Sequence, residues 1–144
     1  MPETYINATR EAGAALFARG ISGPIVMLNL LRFQDVADYS GFHNLAPSAP
    51  ISGREAYQRY IDHVVPLLEQ YGSEIIFMGQ GGAYLIGPEG TDWDLVLLVR
   101  HASLKRFMAF ATDENYLSGA GHREAALADS RLLPIEEHQG TSML

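Results

Sequence analysis

Residues 52–80, SGREAYQRYIDHVVPLLEQYGSEIIFMGQ, decide the fold because they combine a long amphipathic helix with the strand that follows it. Ser52 and Glu55 have the spacing of a capping box, and apolar residues then recur every three or four positions. Gly72 is placed to end the predicted helix. Pro66 falls on the face opposite the apolar stripe, where we expect it to bend the helix.

Apolar runs of strand length lie on both sides of this helix, bounded by glycine, proline and polar residues. Gly81-Gly82 separates two of these runs and predicts a hairpin. Pro134 lies in the closing run and indicates an edge strand or a bulge. The predicted strands are residues 24–33 (PIVMLNLLRF), 73–80, 83–87, 93–101 (WDLVLLVRH) and 131–138.

Three further helices are predicted around these strands. The first covers residues 2–19, with a proline at its start and a glycine after its end. Ser103 can cap the second, and the third covers residues 114–128. Residues 34–51 contain two prolines and several polar residues, so they form a long loop that could line a site. The predicted buried side of the helix after Ser103 consists of Leu104, Phe107, Met108 and Ala111.

The order of these elements predicts an α+β fold. Without the first helix and the second arm of the hairpin, the order is β-α-β-β-α-β. That order forms the ferredoxin-like fold, a four-stranded antiparallel sheet with helices on one face. We expect one domain over residues 1–144, with a helical extension at 1–22 and the ferredoxin-like core at 23–138. The strands are apolar at nearly every position, so a second copy of the chain is expected to cover the other face.

The composition narrows the possible functions. The net charge of −7, from 17 acidic and 10 basic residues, works against binding nucleic acid or an anionic membrane surface. The absence of Cys excludes disulfides and thiolate chemistry. The first residues lack a signal-peptide pattern, and the apolar runs are too short to span a bilayer. These observations predict a cytoplasmic protein.

Four stretches of the chain resemble a known family. They are NLLRF (29–33), GREAYQRYIDHVVPLLEQYGSEIIFMG (53–79), WDLVLLVRHASLKRFMAF (93–110) and YLSGAGHREAALADSRLLP (116–134). In this order they resemble the "domain of unknown function 1330" family, which belongs to the dimeric α+β barrel superfamily. The resemblance implies the ferredoxin-like fold and a homodimer. The superfamily includes cofactor-independent monooxygenases and isomerases, so the resemblance implies no single activity.

Asn29 and Arg123 are polar residues in apolar surroundings. Asn29 interrupts a strand, where its amide must bond the backbone or face a cavity. Arg123 falls on the apolar side of its helix, where a charge needs a carboxylate or an anionic ligand. The structural alternative for Arg123 is an ion pair with Asp94, Asp62 or a loop carboxylate. The functional alternative is a pocket in which Asn29 holds a substrate oxygen and Arg123 an anion or enolate.

Histidine and aromatic residues supply the other candidates. His63 and His122 lie at the edges of helical stripes and could act as general bases or be structural. Tyr57 and Tyr60 could present hydroxyls to a pocket or pack in the core. Trp93 could stack on a planar ligand or fill a dimer interface. Weaker candidates are His101, at a strand end, and His43, in the long loop.

Together these residues favour a small cofactor-independent enzyme of the monooxygenase or isomerase type. Its substrate would be an apolar or aromatic carbonyl compound. The arginine and the amide would stabilise an oxyanion, and a histidine would move the proton. Neither a metal nor a cofactor is predicted, because no metal-ligand spacing and no phosphate-binding loop occurs. The alternative is a non-catalytic dimeric module that binds a metabolite or a protein. The predicted catalytic residues are Asn29, His63, His122 and Arg123, and the predicted substrate-binding residues are Tyr57, Tyr60 and Trp93.

Overall fold

Residues 3–144 of the protein are described by a computed structural model. They form four strands and four helices in the order α1, β1, α2, β2, β3, α3, α4, β4. The strands are β1 (Ile25–Phe33), β2 (Glu74–Gln80), β3 (Leu95–His101) and β4 (Leu127–Glu136). The helices are α1 (Arg10–Ala18), α2 (Gly53–Gln70), α3 (Leu104–Ala111) and α4 (Glu114–Ala126).

The sheet has the strand order β2-β3-β1-β4, and every neighbouring pair is antiparallel. This is the predicted ferredoxin-like α+β fold. The core lies where α2 and α4 pack on one face of the sheet, which presents side chains such as Met27, Leu31 and Leu97. Pro134 lies in β4, an edge strand, where its missing N–H does no harm.

The helix α2 has the predicted ends. The Ser52 hydroxyl accepts a hydrogen bond from the backbone N–H of Glu55 at 3.0 Å, which satisfies a free donor of the first turn. Gly72 ends the helix with a φ of +70°, a conformation that side chains disfavour. Pro66 lies inside the helix and is exposed to solvent.

The second face of the sheet is also apolar. Along β3 the side chains alternate between buried (Leu97, Val99) and half-buried (Leu98) positions, and both sets are aliphatic as far as Val99. The strand register places Phe77 beside Leu98 and Leu133 beside Leu28. Within one chain, Phe77 remains 53% exposed and Leu133 56% exposed.

The first helix is shorter than predicted. It begins at Arg10, because the Thr9 hydroxyl accepts from the Ala12 N–H at 3.1 Å and caps it there. The segment before it runs beside β4, where Asp129 and Ser130 bond the backbone N–H and carbonyl of Tyr5. These bonds hold residues 3–9 out of a helix. The predicted proline start, at residue 2, lies outside the described residues.

The predicted hairpin is wrong. β2 pairs with β3, and residues 83–87 form no strand apart from one bridge between Ala83 and Asp92. Leu85 is fully exposed and Ile86 is 91% exposed, so these apolar residues contact nothing that would hold them in a sheet. Gly81 and Gly82 do not form the turn, because their backbones bond those of Asp94 and Trp93, and the chain reverses only after Ala83.

Smaller differences occur near the end of the chain. β4 begins at Leu127, four residues earlier than predicted, because it continues directly from α4 and pairs with Phe33. On α3, Phe110 is the buried residue and Met108 is 47% exposed. None of the helices in the described residues is long and apolar enough to cross a membrane.

Candidate ligand cavity

A cavity of about 740 Å³ lies between the sheet and the helical layer. Strands β1 and β3 form its floor, and helices α2, α3 and α4 contribute its walls. Residues 5–17, which include most of α1, cover another side. The lining is mainly apolar, and the volume lies in the range of small-molecule sites. The polar or titratable side chains that line it include Asn29, Tyr57, Tyr60, His101, Tyr116, Arg123 and Arg131.

Arg123 brings a positive charge to the cavity from the last turn of α4. Its Nη1 donates to the backbone carbonyl of Ile6 at 2.7 Å. Arg123 forms no ion pair with any Asp or Glu of residues 3–144. The expected pair with Asp94 or Asp62 is therefore wrong, and Asp94 instead accepts from the backbone N–H of Phe33 at 2.8 Å.

The charges that line the cavity are unbalanced. Its second arginine, Arg131, pairs at 2.6 Å with Asp129, which also pairs with Arg32 at 3.5 Å. Neither Asp nor Glu occurs among the described residues of the lining. Arg123, which is half-buried, thus has no carboxylate partner among the described residues.

Three tyrosines line the cavity near this cation. The hydroxyls of Tyr60 and Tyr116 share a hydrogen bond of 3.1 Å. Tyr57 is buried, and within residues 3–144 its hydroxyl has no hydrogen-bond partner. Burial, the largest cause, raises the pKa of Tyr57 and of Tyr60, and the nearby charge of Arg123 opposes that shift. Both hydroxyls therefore stay protonated at neutral pH and can donate to a ligand.

Asn29 presents an acceptor to the cavity. Its Nδ2 donates to the backbone carbonyls of Met27 at 3.2 Å and Leu97 at 3.3 Å, which uses both amide hydrogens. Its Oδ1 has no donor among the described residues. This oxygen suits a hydroxyl or amine of a ligand, and not the oxyanion that the sequence suggested.

His101 is the histidine that the cavity contains. Its Nδ1 shares a hydrogen bond of 2.7 Å with the Ser73 hydroxyl. The rings of Phe107 and Phe110 lie 4.9 and 5.8 Å from it. Burial lowers its pKa from the ordinary 6.5 to about 4, so the imidazole is neutral at physiological pH.

His63 and His122 lie outside the cavity. His63 Nε2 contacts the backbone carbonyl of Asn115, and His122 Nδ1 shares a hydrogen bond of 2.7 Å with the Tyr39 hydroxyl. These bonds join α4 to α2 and to the 34–51 loop. Burial, with smaller contributions from Arg59 and His63, lowers the pKa of His122. The structure thus gives both residues packing partners and separates them from the cavity.

Trp93 also lies outside the cavity. Its Nε1 donates to the Tyr84 hydroxyl at 2.6 Å. The guanidinium groups of Arg32 and Arg131 stack on its ring at 4.8 and 5.2 Å. No cluster of three or more His, Asp or Glu side chains in the described part of the chain could hold a metal ion.

Sequence reasoning ranked His101 only as a weaker candidate and missed Tyr116, and each had a signal. His101 continues the alternation of Leu97 and Val99 on β3, so it points to the same face. Tyr116 lies seven residues before Arg123, on the same side of α4. The N-terminal segment covers the cavity. The 34–51 loop, which was expected to line a site and which includes the exposed His43, packs elsewhere.

Similar structures exist for this chain, although no family model and no curated protein matches its sequence. The structure of the methylated RPA0582 protein is 32% identical, with a TM-score of 0.85, over 96% of this chain and 98% of that one. A second structure, of the RPA0582 protein of unknown function from Rhodopseudomonas palustris, is also 32% identical, with a TM-score of 0.82 over 95% and 99% of the two chains.

A more distant structure shows the fold alone. It is a dimeric protein of unknown function and ferredoxin-like fold from Bacteroides fragilis, with 11% identity. The TM-score is 0.50 over 81% of this chain and 99% of that one. The two RPA0582 structures are each 32% identical to this chain over almost the whole length of both chains. The chain therefore belongs to the same family as the RPA0582 protein.

Proposed function

We propose that the protein is a small cofactor-independent enzyme that acts on an apolar or aromatic carbonyl compound in this cavity. The proposal is carried by a cavity of about 740 Å³ in which Arg123 lacks an acidic partner among the described residues. A half-buried charge beside apolar groups gains from an anionic partner, and a ligand can supply one. An oxyanion that develops during a reaction would supply that compensation.

The chemistry starts with removal of a proton from the carbon beside the carbonyl group. His101 is neutral, and if Nδ1 donates to Ser73, its Nε2 is the basic nitrogen. The electron pair of the broken C–H bond moves into an enolate, whose oxygen Arg123 and the tyrosine hydroxyls stabilise. In a substrate with a double bond conjugated to the enolate, return of the proton to the far carbon of the conjugated system completes an isomerisation. Addition of the enolate carbon to dioxygen would instead give a peroxide, whose protonation and loss of water would leave a new carbonyl group.

Solvent-proton exchange tests the first step directly. Phenylacetone or 1-indanone is incubated with the protein in D2O, and loss of the α-proton signal is followed by NMR. We expect exchange that falls about 100-fold in His101→Gln and in Arg123→Gln. Arg106→Gln, which changes an exposed arginine of α3, serves as the matched control and keeps full activity. Exchange that is equally fast in His101→Gln would contradict the proposal.

A second candidate is a binding module without catalysis. It is favoured by the pKa values of side chains that line the cavity. Burial lowers the pKa of His101 to about 4 and raises the pKa of Tyr57 and of Tyr60. General acid–base catalysis works best with groups that titrate near the operating pH. Calorimetric binding of a carbonyl compound, without proton exchange or dioxygen uptake, would favour this candidate.

A homodimer is also proposed, with the second copy covering the bare face of the sheet. Phe77 and Leu133 lie on that face and are more than half exposed in one chain. The Bacteroides protein of this fold is dimeric, and the apolar face gives this chain a surface for the same assembly. Membership of the "domain of unknown function 1330" family and a cytoplasmic location remain predictions from the sequence.

A further inference from the structure

We infer that the ligand of the cavity is a monocarboxylate with an apolar body, held at its carboxylate by Arg123 and Tyr57. This inference rests on the proposed function, because it concerns the same site and names the substrate class. It goes further in assigning a negative charge to the free ligand, before any reaction takes place.

The charge of the cavity is the first argument. Arg131 pairs with Asp129, a carboxylate that it shares with Arg32, and within the described lining Arg123 is not matched by any carboxylate. The described lining carries positive charge and no Asp or Glu, which calls for a negative charge on the ligand and would repel a cation.

The hydrogen-bond donors near Arg123 are the second argument. Nη1 of Arg123 is used by the Ile6 carbonyl, and its other N–H groups have no acceptor within residues 3–144. The Tyr57 hydroxyl also has no partner there, although Tyr57 is 3% exposed. Arg123 and Tyr57 both line the cavity. Two donor groups in one cavity suit the two oxygens of a carboxylate.

The remaining lining describes the rest of the ligand. Met27, Leu97, Val99 and Phe107 offer apolar surface and no further charge. The body that fits such a lining is an aromatic ring or an alkyl chain. Asn29 Oδ1 adds one acceptor, which permits a single hydroxyl or amine on that body.

Binding of matched acids and amides tests the inference. The acids are 3-phenylpropanoate, 2-naphthoate and decanoate, and each is compared with its primary amide by isothermal calorimetry. We expect at least one acid to bind about 10- to 100-fold more tightly than its amide. Arg123→Gln should remove this preference, and Tyr57→Phe should weaken acid binding about tenfold. Arg106→Gln keeps wild-type affinity for the acid.

Three outcomes overturn the inference. They are equal affinity for acid and amide, an acid preference that survives in Arg123→Gln, and no binding of any acid up to its solubility limit. Failure of the proposed reaction is a separate result. Acid binding that depends on Arg123, without exchange of α-protons in any carbonyl compound, supports the carboxylate and contradicts the enzyme.

Discussion

His101 carries a polar ring into surroundings that favour its neutral form. Ser73 occupies one nitrogen, and Phe107 and Phe110 lie against the ring. Protonation would place a charge among these groups, which is why the pKa falls to about 4. In the unfolded chain the pKa returns to about 6.5. The unfolded state therefore binds a proton more readily, and stability is complete above pH 6.5 and is lost as the pH falls toward 4.

The loss can be measured by urea unfolding at several pH values. Between pH 6.5 and 4 we expect the wild type to lose up to about 3 kcal/mol that His101→Gln does not lose. The exposed His43 provides the control, because His43→Gln should keep the wild-type slope. Equal slopes for the wild type and His101→Gln would show that the ring is not shielded from solvent.

A polar group that interrupts an apolar pattern indicated where two side chains point, and their roles stay predictions. Asn29 and Arg123 line the cavity, as their positions in a strand and on a helix stripe suggested. His63 and His122 do not, because a position at the edge of a stripe leaves the direction of the side chain undetermined. The final direction depends on contacts with Asn115 and Tyr39, which are distant in sequence.

The start of α2 depends on a close approach between elements. An added Cβ at Gly53 would lie 2.3 Å from the backbone oxygen of Gln34 and 2.6 Å from that of Ala126. Backbone atoms at these distances cannot rotate away as a side chain can. Gly53 therefore permits the ends of β1 and α4 to meet α2, which fixes the helix that carries Tyr57.

Gly53→Ala should lower the free energy of unfolding by about 2–3 kcal/mol, since overpacking forces backbone shifts. Gly13→Ala is the matched substitution, in a helix where an added Cβ meets nothing within 4 Å. There we expect a gain of up to about 1 kcal/mol. Chemical denaturation of both variants measures the two effects, and a Gly53→Ala variant as stable as the wild type would contradict this account of the contact.

Elements with local signals were predicted accurately. The capping residues and the apolar stripe of α2 lie within the helix itself, so no other part of the chain is needed to define it. The hairpin failed because pairing is not local. Residues 83–87, which follow Gly81-Gly82 in sequence, do not pair with β2. The partner of β2 is Leu95–His101, whose aliphatic residues form the centre of the core.

The assembly of the whole molecule follows from a sheet that is apolar on two faces. We expect a mass in solution of about twice the 15.8 kDa of one chain. Leu133→Glu places a charge on the bare face and should yield monomers, measured by light scattering after size exclusion. Leu117→Glu changes a residue of equal exposure, 57%, on α4 and should leave the dimer intact. A monomeric wild type would contradict the proposed assembly.

The global fold could be predicted because the order of elements admits few topologies. The cavity could not, because it depends on how far the helical layer stands from the sheet. That spacing is set by the tertiary packing of α1, α3 and α4, which the sequence of each helix does not define. The same packing explains why the N-terminal segment, and not the long 34–51 loop, covers the site.

The helix α1 has no buried residue, and Phe17 is 74% exposed although it lines the cavity. The segment is held by a few bonds, among them that from Arg123 to the Ile6 carbonyl and that from Arg19 to the carbonyl of Pro134. Detaching such a segment costs much less than unfolding the sheet. We therefore expect a ligand to enter and leave the cavity more readily past this weakly held segment than through the sheet.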